Sequence, residues 1–131
     1  MEQNREQIKS TWQVPSYETQ LWQGKQNDYC VVIPVINEGD RIRNLIRKMQ
    51  AVNINQVADI IIIDGGTTDG SLAIDWLKEH HVAGLLLKTG AGKLSAQLRC
   101  AYAFALEQGY AGIVTIDGNN KDDPDPIPDF I

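Results

Sequence analysis

The sequence has 131 residues, which is the size of one ordinary domain or of a piece of one. Its composition, 43% hydrophobic and 22% charged, is typical of a globular chain and excludes disordered, fibrous and membrane-spanning proteins. The formal net charge of −5 disfavours nucleic acid as a partner, because phosphate backbones are bound by an excess of Lys and Arg.

Residues 1–27 are mostly polar and lack a sustained hydrophobic period, so we predict a loosely structured N-terminal arm. The arm carries three large aromatic side chains, which we expect to dock on the domain that follows. The alternative is docking on a second copy of the chain, which would give a homo-oligomer joined through the arm. The three aromatic residues are Trp12, Tyr17 and Trp22.

The expected compartment follows from what the sequence lacks. The N-terminus has no apolar core of a signal peptide, and the longest aliphatic run, residues 60–63, is too short to cross a bilayer. We expect a cytoplasmic location, with peripheral association at a membrane as the alternative. Cys30 and Cys100 match no zinc-binding spacing and no disulfide framework, so they are predicted to be reduced core residues.

The first predicted strand is the β-branched run "YCVVIPV", which begins at residue 29 and closes at Pro34. A continuous apolar run of this kind is typical of a strand that is buried on both faces. Asn37 is the expected N-cap of the helix that follows. The apolar residues of that helix recur at helical spacing and are Ile42, Leu45, Ile46 and Met49.

Strands and helices then alternate to the end of the chain. The second predicted strand is "DIIIIDGG", followed by a helix in "GSLAIDWLKEHH" with Asp69 as its N-cap, and by a short third strand, "GLLLK". The next helix lies in "GKLSAQLRCAYAFALEQG" and ends at Gly109, and "GIVTID" is the fourth strand. One face of that helix is expected to be formed by Leu94, Leu98, Ala101 and Ala105.

This alternation predicts an α/β fold, with a Rossmann-like parallel sheet and helices on both of its faces. Ligands of such sheets bind beyond the carboxyl ends of the strands. These ends carry Asn37 and Glu38, residues 64–69, residues 89–93 and residues 117–125. The polar residues that could do chemistry are therefore expected at one edge of the sheet.

Two loops at this edge have the composition of nucleotide contacts. In "DGGTTDG", residues 64–70, glycines allow a close approach of the backbone, and Asp64 can accept a hydrogen bond from a nucleobase or ribose. The alternative is a polar turn. In "TGAGKLS", residues 89–95, Lys93 stands at a helix start that favours a phosphate, unless it is a solvated first-turn residue.

The third loop, "DGNNKDDPDP", is strongly acidic. Asp117 ends a buried strand, and four more carboxylates follow closely, at Asp122, Asp123, Asp125 and Asp129. Mutual repulsion makes such a cluster costly unless solvent or a cation relieves it. Carboxylate and amide oxygens suit Mg²⁺ or Mn²⁺, which would also bridge the phosphates of a nucleotide. The alternative is a solvated acidic loop.

Taken in order, "VVIPVINE", "IIIIDGGTTDGS", "GKLSAQLRCAYAFALEQGY" and "IVTIDGNNKDDPDPIP" resemble the N-terminal half of family 2 glycosyltransferases with the GT-A fold, as in dolichyl-phosphate mannose synthase-like enzymes. The resemblance implies a nucleotide-sugar-binding domain over residues 28–131. The acceptor-side residues of the family lie in a second half, so we expect the donor-binding portion alone.

The resemblance implies a set of donor-binding residues. The family pattern P-x-Y-N-E has Ile36 in place of its aromatic residue, and in the pattern D-D-G-S-x-D-G the second Asp is replaced by Gly65. Glu38 would bind the nucleoside, and Lys93 would meet a donor phosphate or ribose. The donor-binding set is Pro34, Asn37, Glu38, Asp64, Gly66, Lys93 and Asp117.

The resemblance also implies a metal site. The D-x-D motif of the family appears as Asp117, Gly118 and Asn119, so an amide replaces the second carboxylate. Asp122 could restore the lost charge from further along the loop. The implied ligands of Mg²⁺ or Mn²⁺ are therefore Asp117, Asn119 and Asp122.

The implied function is that of a hexosyltransferase that takes its sugar from a UDP- or GDP-linked donor. The acceptor would be a lipid phosphate, such as a polyprenyl phosphate, or a saccharide. Two alternatives belong to other classes of protein. One is a catalytically inactive nucleotide-binding domain with a regulatory or interaction role, and the other is a flavodoxin-like receiver domain with an acidic Mg²⁺ pocket.

Overall fold

A computed structural model describes residues 14–118, which form a five-stranded sheet with helices packed on it. The strands are β1 (Tyr17–Trp22), β2 (Tyr29–Val35), β3 (Asp59–Asp64), β4 (Val82–Lys88) and β5 (Gly112–Thr115). The helices are α1 (Asp40–Ala51), α2 (Ile74–Glu79) and α3 (Leu94–Glu107), with a 3₁₀ turn at Ile54–Gln56. The four predicted strands and three predicted helices are present, and β2 continues past Pro34 to Val35. Strand β5 ends at Thr115, two positions before Asp117, and is half-buried to exposed, so the expectation that Asp117 ends a buried strand is wrong.

The strand order is β1-β4-β3-β2-β5, in which β2 to β5 are parallel and β1 is antiparallel to β4. The first parallel strand, β2, thus lies between the second and the fourth, as in a Rossmann sheet. A flavodoxin-like sheet would place its first strand between the second and third. The receiver alternative is therefore wrong, and the Rossmann-like fold is confirmed.

Each face of the sheet is covered by helices, as predicted. Alternate residues of β2 point to opposite faces, so Val31 and Ile33 pack in one core with α1 and α2, while Cys30 and Val32 pack in the other core with α3. Both cysteines are free and buried, as expected. Burial, and secondarily the charge of Asp59, raises the pKa of Cys30 to about 12.

The amphipathic face of α1 is buried as predicted, with Ile42, Leu45, Ile46 and Met49 all inaccessible to solvent. The predicted caps are wrong, however. Helix α1 follows Gly39 and α2 follows Ala73, and neither has a side-chain cap. Asn37 and Asp69 instead bind the neighbouring loops. Leu94, predicted to share a helix face with Ala101 and Ala105, begins α3 and is 51% exposed, whereas the two alanines are buried.

The predicted loose arm is wrong over Tyr17–Trp22, which form the edge strand β1. A register shift between Thr19 and Leu21 changes the alternation, so that Leu21 faces the α1 core while Tyr17 and Trp22 both face the α3 core. The expected docking of these two aromatic residues on their own domain is thereby confirmed. Trp12 lies outside the described residues, and the division at residue 28 remains a prediction.

Asp59 begins β3, and its carboxylate binds the segments that precede β2 and β5. The residue is 3% exposed. It accepts hydrogen bonds from the Gln26 backbone N–H (2.8 Å), the Asn27 side-chain amide (2.9 Å) and the Tyr110 hydroxyl (2.5 Å). Burial and this last bond raise the pKa of Tyr110. Among the described residues, no helix is long and apolar enough to cross a membrane.

Candidate functional site

A cavity of about 430 Å³ lies at the carboxyl edge of the sheet, where the ends of β2 and β5 meet the start of α3. The strand order of this open sheet reverses between β2 and β5, because α1, which follows β2, and α3, which precedes β5, lie on opposite faces. Ligands of open α/β sheets bind at such a switch point. The wall of the cavity includes four of the predicted donor-binding residues: Pro34, Glu38, Lys93 and Asp117.

Glu38 follows β2 and forms one acidic part of the wall. Its side chain is 14% exposed, and its Oε2 lies 3.2 Å from Nη2 of Arg41. The Arg41 amide also donates to the Glu38 carbonyl, at 3.1 Å, in the first turn of α1. The ion pair offsets part of the charge of the carboxylate, while Oε2 is buried and accepts no hydrogen bond from the described residues.

Two lysines form the basic part of the wall. Lys93 immediately precedes α3 and is exposed, and Lys88 ends β4. Nζ of Lys88 donates to the Gly90 carbonyl at 2.8 Å, which holds the loop between them against the sheet. Since free N–H groups at a helix start and two ammonium groups all favour anions, this side of the cavity is suited to phosphate.

Asp117 reaches the cavity because the chain after β5 runs against the end of β2. The Gly118 amide donates to the Pro34 carbonyl at 3.3 Å. A Cβ at residue 118 would lie 2.6 Å from Cγ1 of Val35 and 2.9 Å from the Pro34 oxygen. Glycine is therefore required for this approach, which sets the position of Asp117.

Gly65, the departure from the family pattern, also lines the cavity, and the side chain of Gln97 fills the space beside it. A Cβ at residue 65 would lie 3.1 Å from both Cδ and Nε2 of Gln97. Nε2 donates to the carbonyls of Val35 (2.9 Å) and Ile63 (3.1 Å). Gln97 thus joins the ends of β2 and β3 at the position where the family pattern has a carboxylate.

Asp64 and Gly66 line a second hollow, of about 480 Å³, between the loop after β3 and strand β4. Oδ1 of Asp64 accepts hydrogen bonds from the Gly66 amide (3.0 Å), the Thr67 amide (2.8 Å) and the Thr67 hydroxyl (2.6 Å). These bonds are those of a polar turn, the alternative considered for this loop. Asp64 and Gly66 are thus outside the wall of the first cavity.

Asn37 joins the loop after β2 to the loop after β3. Its Oδ1 accepts a hydrogen bond from the Thr68 backbone N–H at 2.8 Å, and the Asn37 backbone N–H donates to the Thr67 hydroxyl at 3.1 Å. Asp69 joins the same two loops, because its Oδ2 accepts from the Gly39 amide at 2.9 Å. Hydrogen bonds from Ser71 lower the pKa of Asp69. These side chains tie the loop that carries Glu38 to the loop after β3, and Asn37 is not part of the cavity wall.

Of the predicted metal ligands, Asp117 lies on the cavity wall, while Asn119 and Asp122 fall outside the described residues. Within residues 14–118, no three His, Cys, Asp or Glu side chains are close enough together to hold a metal ion. The acidic part of the wall, Glu38 and Asp117, has the hard oxygen donors that Mg²⁺ and Mn²⁺ prefer.

The wall also contains residues that were not predicted as site residues, among them Lys88, Gln97 and two exposed aliphatic residues, Ile36 and Leu94. Lys88 could have been found, since it ends a predicted strand at the edge where ligands bind. Gln97 had a weaker signal. It follows Lys93 by one helical turn and is a polar residue on the buried face of α3.

A comparison with solved structures identifies a class of protein with this fold. The mannosyltransferase PcManGT from Pyrobaculum calidifontis, in complex with GDP-Man and Mn²⁺, matches 86% of this chain with a TM-score of 0.50 and 16% sequence identity. The chain has the Rossmann-like α/β fold of such a glycosyltransferase and spans 33% of that protein's length. No protein-family model and no curated protein matches the sequence.

Proposed function

We propose that this chain is the donor-binding portion of a glycosyltransferase and that it binds a nucleoside diphosphate sugar in the cavity between β2 and β5. The observation that carries the proposal is the meeting of opposite charges around one cavity at the switch point of the sheet. Lys88 and Lys93 stand on one part of its wall, and Glu38 and Asp117 stand on the other.

The lysines would bind the diphosphate, and Glu38 would face the nucleoside. In the reaction proposed, an acceptor oxygen attacks the anomeric carbon and the nucleoside diphosphate leaves. Lys88 and Lys93 would offset the negative charge that grows on the leaving phosphate. A hydroxyl acceptor also needs a general base, whereas a phosphate acceptor is already anionic.

We infer that the donor is a UDP- or GDP-linked hexose and that the protein belongs with family 2 glycosyltransferases of the dolichyl-phosphate mannose synthase type. The motif order supports this, and the neighbouring structure holds GDP-Man. Asp117 would hold Mg²⁺ or Mn²⁺ together with Asn119 and Asp122. When bound, such an ion neutralises phosphate charge. The proposed acceptors are a lipid phosphate or a saccharide.

Calorimetry with UDP, GDP, CDP and ADP, each with and without Mn²⁺, tests the proposal. We expect at least one nucleotide to bind in the micromolar to millimolar range, and more tightly when Mn²⁺ is present. Asp117→Asn is the matched variant, and it should fold normally but lose the Mn²⁺ enhancement. Binding that Mn²⁺ enhances equally in both proteins would contradict the assignment of Asp117. The absence of nucleotide binding would contradict the proposed function.

A further inference from the structure

Gln97 is a buried polar side chain on the wall of the cavity, and the proposed function gives it no role. Its exposed fraction is 5%, and it lies one turn into α3 among Ala96, Cys100 and Ala101, which are all buried. A polar group in such surroundings requires hydrogen-bond partners. The partners that Gln97 has therefore show which of its polar atoms can still bind a ligand.

The orientation of the Gln97 amide is fixed by two backbone carbonyls. Nε2 donates to the oxygens of Val35 and Ile63, at 2.9 and 3.1 Å. An amide oxygen would repel these two acceptors, so the nitrogen must face them. Within residues 14–118, these two contacts are the hydrogen bonds of the side chain. They occupy both amide hydrogens, and no group within the described part of the chain donates to the amide oxygen, which can therefore accept from a ligand.

The amide oxygen lies beside Gly65 on the same wall. Oε1 is 3.2 Å from the position that a Cβ of residue 65 would occupy. Because residue 65 has no side chain, it does not cover the oxygen. A Cβ at this position would contact the whole amide group of Gln97, and both residues line the cavity. The glycine therefore leaves a fixed, neutral hydrogen-bond acceptor at the site.

We propose that Gln97 accepts a hydrogen bond from an N–H or O–H group of the bound nucleoside and thereby helps to select it. The inference rests on the proposed function, which puts a nucleotide in this cavity. Gln97 lies four positions after Lys93, which corresponds to a helical rise of about 6 Å. A diphosphate at Lys93 thus leaves Gln97 to the nucleoside. The donor is a ring N–H, as in uracil or guanine, or a ribose hydroxyl.

The test measures dissociation constants of UDP and GDP against analogues that each lack one donor. Base-methylated analogues remove the ring N–H, and 2′-deoxy and 3′-deoxy analogues remove the hydroxyls. In the wild-type protein, we expect one analogue to bind about 3- to 10-fold more weakly than its parent, the range for one neutral hydrogen bond. In Gln97→Met, the parent and that analogue should bind equally.

The control is Leu98→Met, which places the same new side chain at the next position, half-buried and outside the cavity wall. It should keep the wild-type ratio. If Gln97→Met weakens parent and analogue alike, the role of Gln97 is structural and the proposal is overturned. If wild-type protein binds every analogue as well as its parent, the proposal is overturned without any variant. If no parent nucleotide binds, the proposed function itself fails.

Discussion

The side chain of Gln97 occupies the space that Gly65 leaves open, with Cδ and Nε2 each 3.1 Å from the position of a Cβ at residue 65. The two residues lie 32 positions apart in the sequence, yet each limits what the other can be. Gly65 permits the long side chain of Gln97, and Gln97 in turn joins Val35 to Ile63 across the ends of β2 and β3.

We therefore expect Gly65→Ala to destabilise the protein by about 1–3 kcal/mol, because the added methyl must displace an anchored side chain. In a Gln97→Ala background, the same substitution should cost much less. The coupling between the two sites is measured with a double-mutant cycle of urea unfolding. If the free-energy costs of the two substitutions are additive, the cost of Gly65→Ala does not arise from contact with Gln97, and the prediction is contradicted.

Gly118→Ala should disturb the position of Asp117. The new Cβ would lie 2.9 Å from the Pro34 carbonyl oxygen, and a backbone atom within a sheet cannot move aside cheaply. We expect a loss of about 1–3 kcal/mol in unfolding free energy. We also expect the Mn²⁺ enhancement of nucleotide binding to fall, as is expected for Asp117→Asn. Thr115→Ser, an exposed change on the same segment, should alter neither property.

Lys93→Ala should weaken a nucleoside diphosphate by about 1.5–3 kcal/mol, the range for a hydrogen bond to a charged group. The bare nucleoside should lose far less affinity, since the ammonium is assigned to phosphate. Calorimetry with both ligands measures the difference. Lys48→Ala removes an exposed lysine from α1 and is the matched control. Equal losses for nucleotide and nucleoside in Lys93→Ala would contradict a phosphate contact.

Cys30 should make the protein lose stability at high pH. Its pKa is raised from 9.0 to about 12 by burial, and secondarily by the charge of Asp59. A raised pKa in the folded state gives stability that is complete below pH 9 and is lost between pH 9 and about 12. Urea unfolding of wild type and Cys30→Ala across this range measures the effect, and the variant should show the weaker pH dependence. Parallel curves would contradict the assignment.

Much of the fold was predictable because the runs in β2 and β3 are continuous and apolar, which leaves a buried parallel sheet as the natural interpretation. The edge strand β1 was missed because three consecutive residues, 18–20, are exposed, and because the strand depends on pairing with β4. The caps were misassigned for a related reason. Asn37 and Asp69 are good caps by residue type, but each is bound by a loop about 30 positions away.

The site was only partly predictable. Strand ends identify the edge where Glu38, Lys93 and Asp117 meet, because parallel strands all end there. The pairing of Gly65 with Gln97 depends on how α3 packs over β3, which no local pattern specifies. Asp64 is adjacent to Gly65 in the sequence but lines the second hollow, because it continues the face of β3 that carries Ile60 and Ile62, opposite to α3.

The central claim is that a nucleoside diphosphate binds between the ends of β2 and β5. It is tested most directly by an amide NMR titration of the wild-type chain with UDP and GDP in the presence of Mg²⁺. The account predicts that the largest shift changes cluster at Val35, Glu38, Gly65, Gln97 and Gly118. Changes centred on the Asp64 hollow or on Asp59, or no changes at millimolar ligand, would contradict it.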